Sequence, residues 1–299
     1  MYDLPTYTLP RRMLLLVFAL VMTMSAMAAK RALLIGISSY PDVAEKGASW
    51  QKIHGANDLT LIAPILKRQG FSIQQLANQQ ATASRIRQAL HALSQQTKQG
   101  DLVYIHFSGH GQPYEDLSGD EADGWDEALV PYDAQRLYSA RYKGQNHIID
   151  DELEKIVTSI RKRAGQNGYV YVVLDAGHMG GASRDESEAD TALFVRGTDQ
   201  GFSPHGKKYV PRIDRRGFMH IKASTRLSGV CYVESCRAYQ SNTEIKERGQ
   251  YYGPLSYYVS QALQRTTLSV DRGWLFSVVK EMARDRRLIR QNPVIESDR

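Results

Sequence analysis

Short apolar runs alternate with amphipathic segments through most of this chain. Four of the apolar runs predict buried strands, at residues 31–38, 71–76, 102–107 and 169–174. The amphipathic segments predict helices at residues 57–69, 83–97 and 151–163, with two closing helices near residues 255–263 and 274–289. Shorter apolar runs at residues 218–221 and 230–235 predict two more strands. The pattern therefore predicts six strands and five helices.

Strands that alternate with helices at this spacing favour an α/β fold, in which a mostly parallel sheet is covered by helices on both faces. The alternation is interrupted by two long polar insertions, at about residues 111–146 and 183–216. Loops of this length in a compact domain are usually functional or disordered. Both insertions follow strand ends, where open α/β sheets bind their ligands. We therefore expect the functional site at this edge of the sheet.

The first residues have the pattern of an export signal. Arg11 and Arg12 form a positive segment, an apolar run follows at residues 13–21, and Ala26-Met27-Ala28 supplies a small-residue cleavage site. The apolar run is shorter than the ~20 residues of a membrane-spanning helix. We expect a signal peptide at residues 1–28, a single exported domain at residues 29–299 in the periplasm or outside the cell, and no membrane span after cleavage. An uncleaved anchor or a misassigned start is the alternative.

Composition and charge argue against a nucleic-acid partner and against a cysteine-bound metal. The formal net charge is +6, but no block of basic residues is interleaved with aromatic ones, so a nucleic-acid partner is not expected. The only cysteines, Cys231 and Cys236, lie in one predicted strand, where five residues separate their Cα atoms by roughly 16 Å. A disulfide needs less than ~7 Å. We therefore predict two free, mostly buried thiols and no cysteine-bound metal.

Two strand ends carry the candidate chemistry. The third strand runs into Ser108-Gly109-His110-Gly111, and flanking glycines allow a sharp turn that exposes the imidazole of His110. Such a histidine suits general acid or base catalysis, although a structural histidine in a turn fits the same pattern. The fourth strand runs into Asp175-Ala176-Gly177-His178. An enzyme of this layout would carry its nucleophile there, but Gly177 has no side chain.

Six motifs occur in an order and spacing that resemble the caspase-like cysteine peptidases, particularly the metacaspase and paracaspase branch. The motifs are Arg31 to Ile37, Ala56-Asn57-Asp58, His106 to Gly111, Asp126 to Asp133, Ile149 to Leu153 and Leu174 to His178. The resemblance extends from about residue 30 to the C-terminus. It implies a caspase-like three-layer sandwich around the six-stranded sheet.

The resemblance also implies roles for single residues. His110 matches the catalytic histidine, and Gly177 stands where the family has its catalytic cysteine. Asp58 and Asp175 match the acids that form a pocket for a basic side chain before the cleaved bond. An arginine suits such a pocket because its planar fork binds carboxylates through two hydrogen bonds. Without the resemblance, Asp58 would be an acid favoured by the dipole at a helix N-terminus.

A calcium site is a further implication of the resemblance. Asp150 and Asp151, together with Asp123 or Asp126, resemble the calcium-binding acids of metacaspases, and oxygen ligands suit a hard cation. At the position that aligns with the last ligand, however, Arg184 stands beside Asp185. Asp150 and Asp151 could equally cap the third helix. No other cofactor is expected.

Two functions remain. The first is a catalytically inactive pseudopeptidase that binds Arg- or Lys-containing peptide segments through Asp58 and Asp175. The alternative is an active cysteine endopeptidase that cleaves after Arg or Lys and uses Cys231 or Cys236 instead of residue 177. The insertion at residues 183–216 resembles the linker that active relatives cut in themselves. Without a thiol at residue 177 we expect this chain to remain uncut.

Overall fold

The computed structural model describes residues 28–178, 194–288 and 290–298. The predicted signal peptide up to residue 27 and the start of the second insertion lie outside these residues. The strands are β1 Lys30–Gly36, β2 Ser72–Ala77, β3 Leu102–Ser108, β4 Gly111–Glu115, β5 Trp125–Leu129, β6 Ile148–Ile149, β7 Tyr169–Asp175, β8 Phe218–His220, β9 Gly229–Glu234, β10 Ile245–Glu247, β11 Gln250–Tyr252 and β12 Val294–Ser297. The helices are α1 Gly55–Arg68, α2 Ala83–Gln96, α3 Asp150–Ala164, α4 Pro254–Arg265 and α5 Gly273–Arg284.

The central sheet is mostly parallel, as predicted, but it has seven strands rather than six. Its order is β2-β1-β3-β7-β9-β12-β8. The additional strand, β12, lies between two strands that were predicted, antiparallel to β9 and parallel to β8. The predicted number of strands was therefore wrong. In the short β12, Val294 and Ile295 are buried between these neighbours, a contact made by distant parts of the chain.

Helices cover both faces of the sheet and complete three layers. One core joins α1, α4 and α5 to side chains of the sheet such as Tyr104 and Tyr171. The other core joins α2 and α3 to the opposite face, through side chains such as Ile105 and Val172. The last helix ends at Arg284 instead of continuing to residue 289, and a short 3-10 turn at Arg286–Leu288 follows it. Within the described residues, no helix is both long and apolar enough to cross a membrane.

The insertion at residues 111–146 is folded. Its strands β4 and β5, joined by β6, form a small three-stranded antiparallel sheet. Gly111 directly follows His110 and is the first residue of β4, where it pairs with Leu129 of β5. The small sheet therefore fixes the chain immediately after His110.

Candidate active site and acidic pocket

Two neighbouring strands bring His110 and Gly177 to one edge of the sheet. Strands β3 and β7 are parallel and end in register, with Ser108 opposite Asp175. The turns that follow touch each other, because a Cβ on Gly111 would lie 2.7 Å from the carbonyl oxygen of Gly177. The structure thus places the histidine turn beside the position where the resemblance puts the nucleophile.

His110 is held as a neutral imidazole. Its ring is buried rather than exposed as expected, because it stacks on Trp50 with the ring centroids 4.8 Å apart. Burial lowers the pKa of His110 to about 4. Nε2 lies 2.8 Å from the carbonyl oxygen of Gln51, and because a carbonyl only accepts, Nε2 carries the proton. Nδ1 is therefore an unprotonated acceptor, and it is buried without a hydrogen-bond partner among the described residues.

Asp58 and Asp175 surround an arginine of the chain itself. Arg196, from the second insertion, is fully buried, as are both carboxylates. Its Nη1 lies 2.7 Å from Oδ2 of Asp58 and 3.6 Å from Oδ1 of Asp175, and it donates to Oγ of Ser108 at 2.6 Å. The two predicted acids thus form one pocket, and the side chain in it is Arg196.

A third carboxylate completes the pocket. Glu244 accepts a hydrogen bond from Nε of Arg196 at 2.9 Å through its Oε1. Its other oxygen lies 2.6 Å from Nδ1 of His54, whose backbone N–H donates to Oε1 at 2.7 Å. The sequence reasoning missed both Glu244 and the destination of Arg196. The sequence contained one indication that this segment is buried, because the residues directly before Arg196 are apolar although the insertion is otherwise polar.

The charges in the pocket influence one another. Burial raises the pKa of Asp58 to about 6 although Arg196 acts in the opposite direction. Burial alone would lower the pKa of Arg196, but the carboxylates of Asp58, Asp175 and Glu244 outweigh it and hold the pKa above its ordinary value. Arg196 is therefore a permanent cation among three buried acids. The pocket stabilises a guanidinium strongly.

Asp175 is additionally fixed by the surrounding backbone and side chains. Asn242 donates to its Oδ1 at 2.8 Å, and both the backbone N–H and the hydroxyl of Ser256 donate to its Oδ2 at 2.7 Å. Gly253 packs directly against it, and a Cβ there would overlap both Asp175 and Arg196. These contacts hold the Asp175 carboxylate in place without an external ligand.

Residues 194–196 run past Gly177 and pair with residues 242–244 through an isolated antiparallel bridge between Val195 and Thr243. Arg196 N–H donates to the carbonyl of Asn242 at 2.9 Å, and Glu244 N–H donates to the carbonyl of Phe194 at 2.8 Å. The carbonyl oxygen of Arg196 lies only 3.0 Å from the place where a Cβ of residue 177 would stand. The peptide bond after Arg196 therefore faces the position of the expected nucleophile.

The structure confirms that both cysteines are free and buried. Burial raises the pKa of Cys231 to about 12, and burial likewise raises the pKa of Cys236. Sγ of Cys236 donates to the carbonyl of Gln240 at 3.4 Å. Neither thiol has the lowered pKa of a cysteine nucleophile.

Comparison with known proteins agrees with this arrangement. Residues 30–184, more than half of the chain, match the family model described as "Metacaspase, peptidase C14 domain". The chain belongs to the metacaspase peptidase C14 family. Metacaspase-1 of Eremothecium gossypii is 30% identical to it over 162 residues, which cover 51% of this chain and 32% of the relative. Metacaspase-1A of Aspergillus oryzae is 37% identical over 86 residues, which cover 29% of this chain and 19% of the relative.

This metacaspase-family chain thus spans about a third or less of the length of these two relatives. Solved structures agree with the fold. Protein GSU0716 from Geobacter sulfurreducens superposes with a TM-score of 0.59 at 17% identity, covering 90% of this chain and 93% of that one. Caspase-1 from Spodoptera frugiperda superposes with a TM-score of 0.52 at 12% identity, covering 91% and 90%. These likenesses establish the caspase-like fold.

Two of the acids expected to bind calcium in this metacaspase-family domain line a cavity that also includes Ala176 and His178, the neighbours of Gly177. Asp150 and Asp151 begin α3 and line this cavity of about 440 Å³ together with Glu127. Oδ1 of Asp150 is buried without a partner among the described residues, and Oδ2 of Asp151 pairs with Lys155 at 2.9 Å. Asp126 has its carboxylate within 4.8 Å of those of two neighbours, and the group comprises Asp116, Asp120 and Asp126.

An oxygen-only donor set with an unpaired buried carboxylate oxygen fits a calcium ion. Asp126 groups with Asp116 and Asp120, whereas Asp150 and Asp151 lie outside that group, so the described residues do not bring the three predicted ligands into one ligand set. A cation bound near Asp150 would offset its repulsion with Glu127 and Asp126. Asp123 also lines the cavity. Arg184 and Asp185, where the last ligand was sought, lie outside the described residues. Calcium binding remains a prediction.

A pH-dependent calcium response is expected at these acids. Burial, aided by neighbouring acids, raises the pKa of Asp126 to about 6 and that of Asp150 to about 7. Because these folded-state values lie above the unfolded value of about 3.9, the metal-free fold gains stability at low pH and loses it as pH rises through 6 to 7. Calcium binds the ionised form. We expect calcium to raise the melting temperature at pH 7.5 and much less at pH 5.

Asp150→Asn, measured with a chelator present so that no calcium is bound, tests the same repulsion between buried carboxylates. The variant should melt higher than the unmodified chain at pH 7.5, with a smaller gain at pH 5, and should lose most of the calcium response. Asp199→Asn removes an exposed carboxyl elsewhere and should change neither. If calcium does not shift the melting temperature at pH 7.5, the calcium prediction is wrong.

Proposed function

We propose that this chain is a catalytically inactive, exported caspase-like domain whose acidic pocket binds an arginine side chain. In the resting state that side chain is its own Arg196. The observation that carries the proposal is the glycine at residue 177, opposite the carbonyl of Arg196. The turn that carries His110 contacts Gly177 and the pocket holds a guanidinium, while a nucleophilic atom is absent from Gly177. Export rests on the leader-like pattern of residues 1–28.

The pocket favours arginine over lysine as the bound side chain. Asp58 and Glu244 receive different nitrogens of the guanidinium, Nη1 and Nε. A lysine ammonium is one point charge and cannot reach two separated acceptors with the same fixed geometry. An external basic segment must displace Arg196 before it binds, so binding in trans depends on opening of residues 194–196.

The competing function is an active peptidase with another nucleophile. It would need Cys231 or Cys236 to ionise near His110, but both thiols are buried and have raised pKa values. Ser108 is also engaged, because its hydroxyl contacts Asp58 and Arg196. These contacts favour the inactive domain.

The test is turnover of a fluorogenic peptide amide with arginine before the scissile bond. Arg196→Ala is the appropriate variant, because it removes the side chain that fills the pocket. We expect no turnover above the buffer rate, both for this variant and for the unmodified chain. Turnover that disappears in His110→Ala would overturn the proposal, and its loss in Cys236→Ala would identify the alternative nucleophile.

A further inference from the structure

The segment that carries Arg196 contacts the protein at a second side chain. Phe194 and Arg196 flank Val195, which forms an isolated antiparallel bridge with Thr243, and the side chains of both contact the domain, at His54 and Asp58. The ring of Phe194 lies 4.5 Å from that of His54 and 4.8 Å from that of Tyr251, measured between centroids. The interplanar angles are 89° and 69°. These are the edge-to-face contacts that aromatic rings prefer.

The two receiving rings are held by contacts that do not involve Phe194. His54 precedes α1 and is oriented by Glu244, whose carboxylate lies 2.6 Å from its Nδ1. Tyr251 belongs to the β10–β11 hairpin, and its carbonyl accepts a hydrogen bond from Asn57 of α1 at 3.1 Å. His54 and Tyr251 stack on each other at 5.0 Å with an interplanar angle of 22°. The receiving surface is therefore preformed.

Glu244 couples this surface to the arginine pocket. One carboxylate positions His54 and accepts from Nε of Arg196. When a peptide segment places an arginine in the pocket, the residue two positions before that arginine therefore lies against His54 and Tyr251. The intervening Val195 pairs with Thr243 in an isolated backbone bridge, which fixes the register of the segment.

We propose that His54 and Tyr251 form an aromatic subsite, and that the groove selects segments of the form aromatic–any–arginine. The inference rests on the proposed function, because it requires that the acidic pocket binds arginine. The ligand class is an extended peptide that replaces residues 194–196, with its aromatic ring on His54 and Tyr251 and its guanidinium among Asp58, Asp175 and Glu244. His54 and Tyr251 are thus specificity-determining residues.

The experiment uses the full chain carrying Phe194→Ala and Arg196→Ala, so that both positions are open. Three peptides are titrated by calorimetry: acetyl-Phe-Val-Arg-amide, acetyl-Ala-Val-Arg-amide and acetyl-Phe-Val-Gln-amide. We expect the first to bind, the second to bind about tenfold more weakly through loss of the aromatic contacts, and the third not to bind detectably.

A further substitution assigns the preference to the subsite. Adding Tyr251→Ala should abolish the preference for phenylalanine over alanine and leave the requirement for arginine. Tyr252→Ala is the matched control on the same hairpin, because its ring contacts Tyr257 instead. Equal affinity for the phenylalanine and alanine peptides would overturn the subsite while leaving the arginine pocket intact. If no peptide binds, both the subsite and the proposed binding function fail.

A second measurement keeps the subsite testable if the opened variant does not fold. Trypsin can cut after Arg196 only when the segment detaches, because that side chain is fully buried. In the otherwise unmodified chain, Phe194→Ala should speed cleavage after Arg196 about tenfold, and Phe194→Tyr should leave the rate unchanged. Cleavage after the exposed Arg212 provides the internal control. Equal rates for Phe194→Ala and the unmodified chain would contradict the subsite.

Discussion

Arg196→Ala is expected to lower the free energy of unfolding by about 3–5 kcal/mol, because it leaves a buried charge cluster without its cation. Asp58, Asp175 and Glu244 would remain within the fold with no partner of opposite charge in the pocket. At roughly 2–4 °C for each kcal/mol, the loss corresponds to a fall of about 10 °C in melting temperature. Denaturant titration measures it directly.

The loss should depend on pH in a defined direction. Without Arg196, the Asp58 carboxylate loses the strongest influence that opposes the burial that raises its pKa to about 6, and the hydrogen bond from Ser108 remains. The carboxyl therefore protonates more readily in the folded variant, which relieves repulsion. The destabilisation should be smaller at pH 5 than at pH 7.5.

A small guanidinium compound provides the matched rescue. Agmatine carries the guanidinium of arginine on a short chain and should raise the melting temperature of Arg196→Ala, since a ligand that binds only the folded state stabilises it. Putrescine, in which a second ammonium replaces the guanidinium on the same four-carbon chain, should do so less. Arg212→Ala removes an exposed arginine and should lie within about 0.5 kcal/mol of the unmodified chain. Loss of stability without rescue by agmatine would contradict an arginine pocket.

Gly177→Cys is expected to convert this chain into one that cuts itself between Arg196 and Gly197. The new thiol would lie beside the Arg196 carbonyl, whose oxygen is 3.0 Å from the position of its Cβ. Nδ1 of His110 is unprotonated and unpaired among the described residues, so it can take the thiol proton. The thiolate then attacks the carbonyl carbon, and the amine of Gly197 leaves with the proton. Water hydrolyses the thioester and restores the thiol.

Crowding at residue 177 is the main obstacle to this substitution. A Cβ would lie 2.9 Å from Cβ of Asn242, so one of the two must shift by a few tenths of an ångström. Gly177→Ala measures this cost separately, because it adds the Cβ without the sulfur. Gly177→Cys combined with His110→Ala retains the thiol and removes the base. We expect both of these variants to fold and to remain uncut.

Much of the fold could be predicted from the sequence because its strands are buried apolar runs. The strands β1, β3 and β7 combine apolar composition with strand length, which is a local property. Strand β12 was not predicted, since its four residues become a strand only through pairing with β9 and β8. The last helix was predicted to be too long because Asp285 ends it by accepting from the backbone of Arg287, a contact that periodicity does not contain.

The sequence predicted only those site residues that lie in the recognised motifs. Asp58 lies in the first turn of α1, Asp175 ends β7 and His110 follows β3, so their positions could be inferred from strand and helix order. Arg196 and Glu244 lie in segments whose path is set by long-range ion pairs. The structure brings the two predicted acids together around Arg196, an arginine of the chain itself, and their role in binding a ligand stays a prediction.

The most direct test of a site complete except for its nucleophile is the intact mass of purified Gly177→Cys. We expect two fragments, one ending at Arg196 and the other beginning at Gly197, and a single uncut chain for Gly177→Cys/His110→Ala. A folded Gly177→Cys chain that stays whole, or that is cut elsewhere, would contradict this expectation.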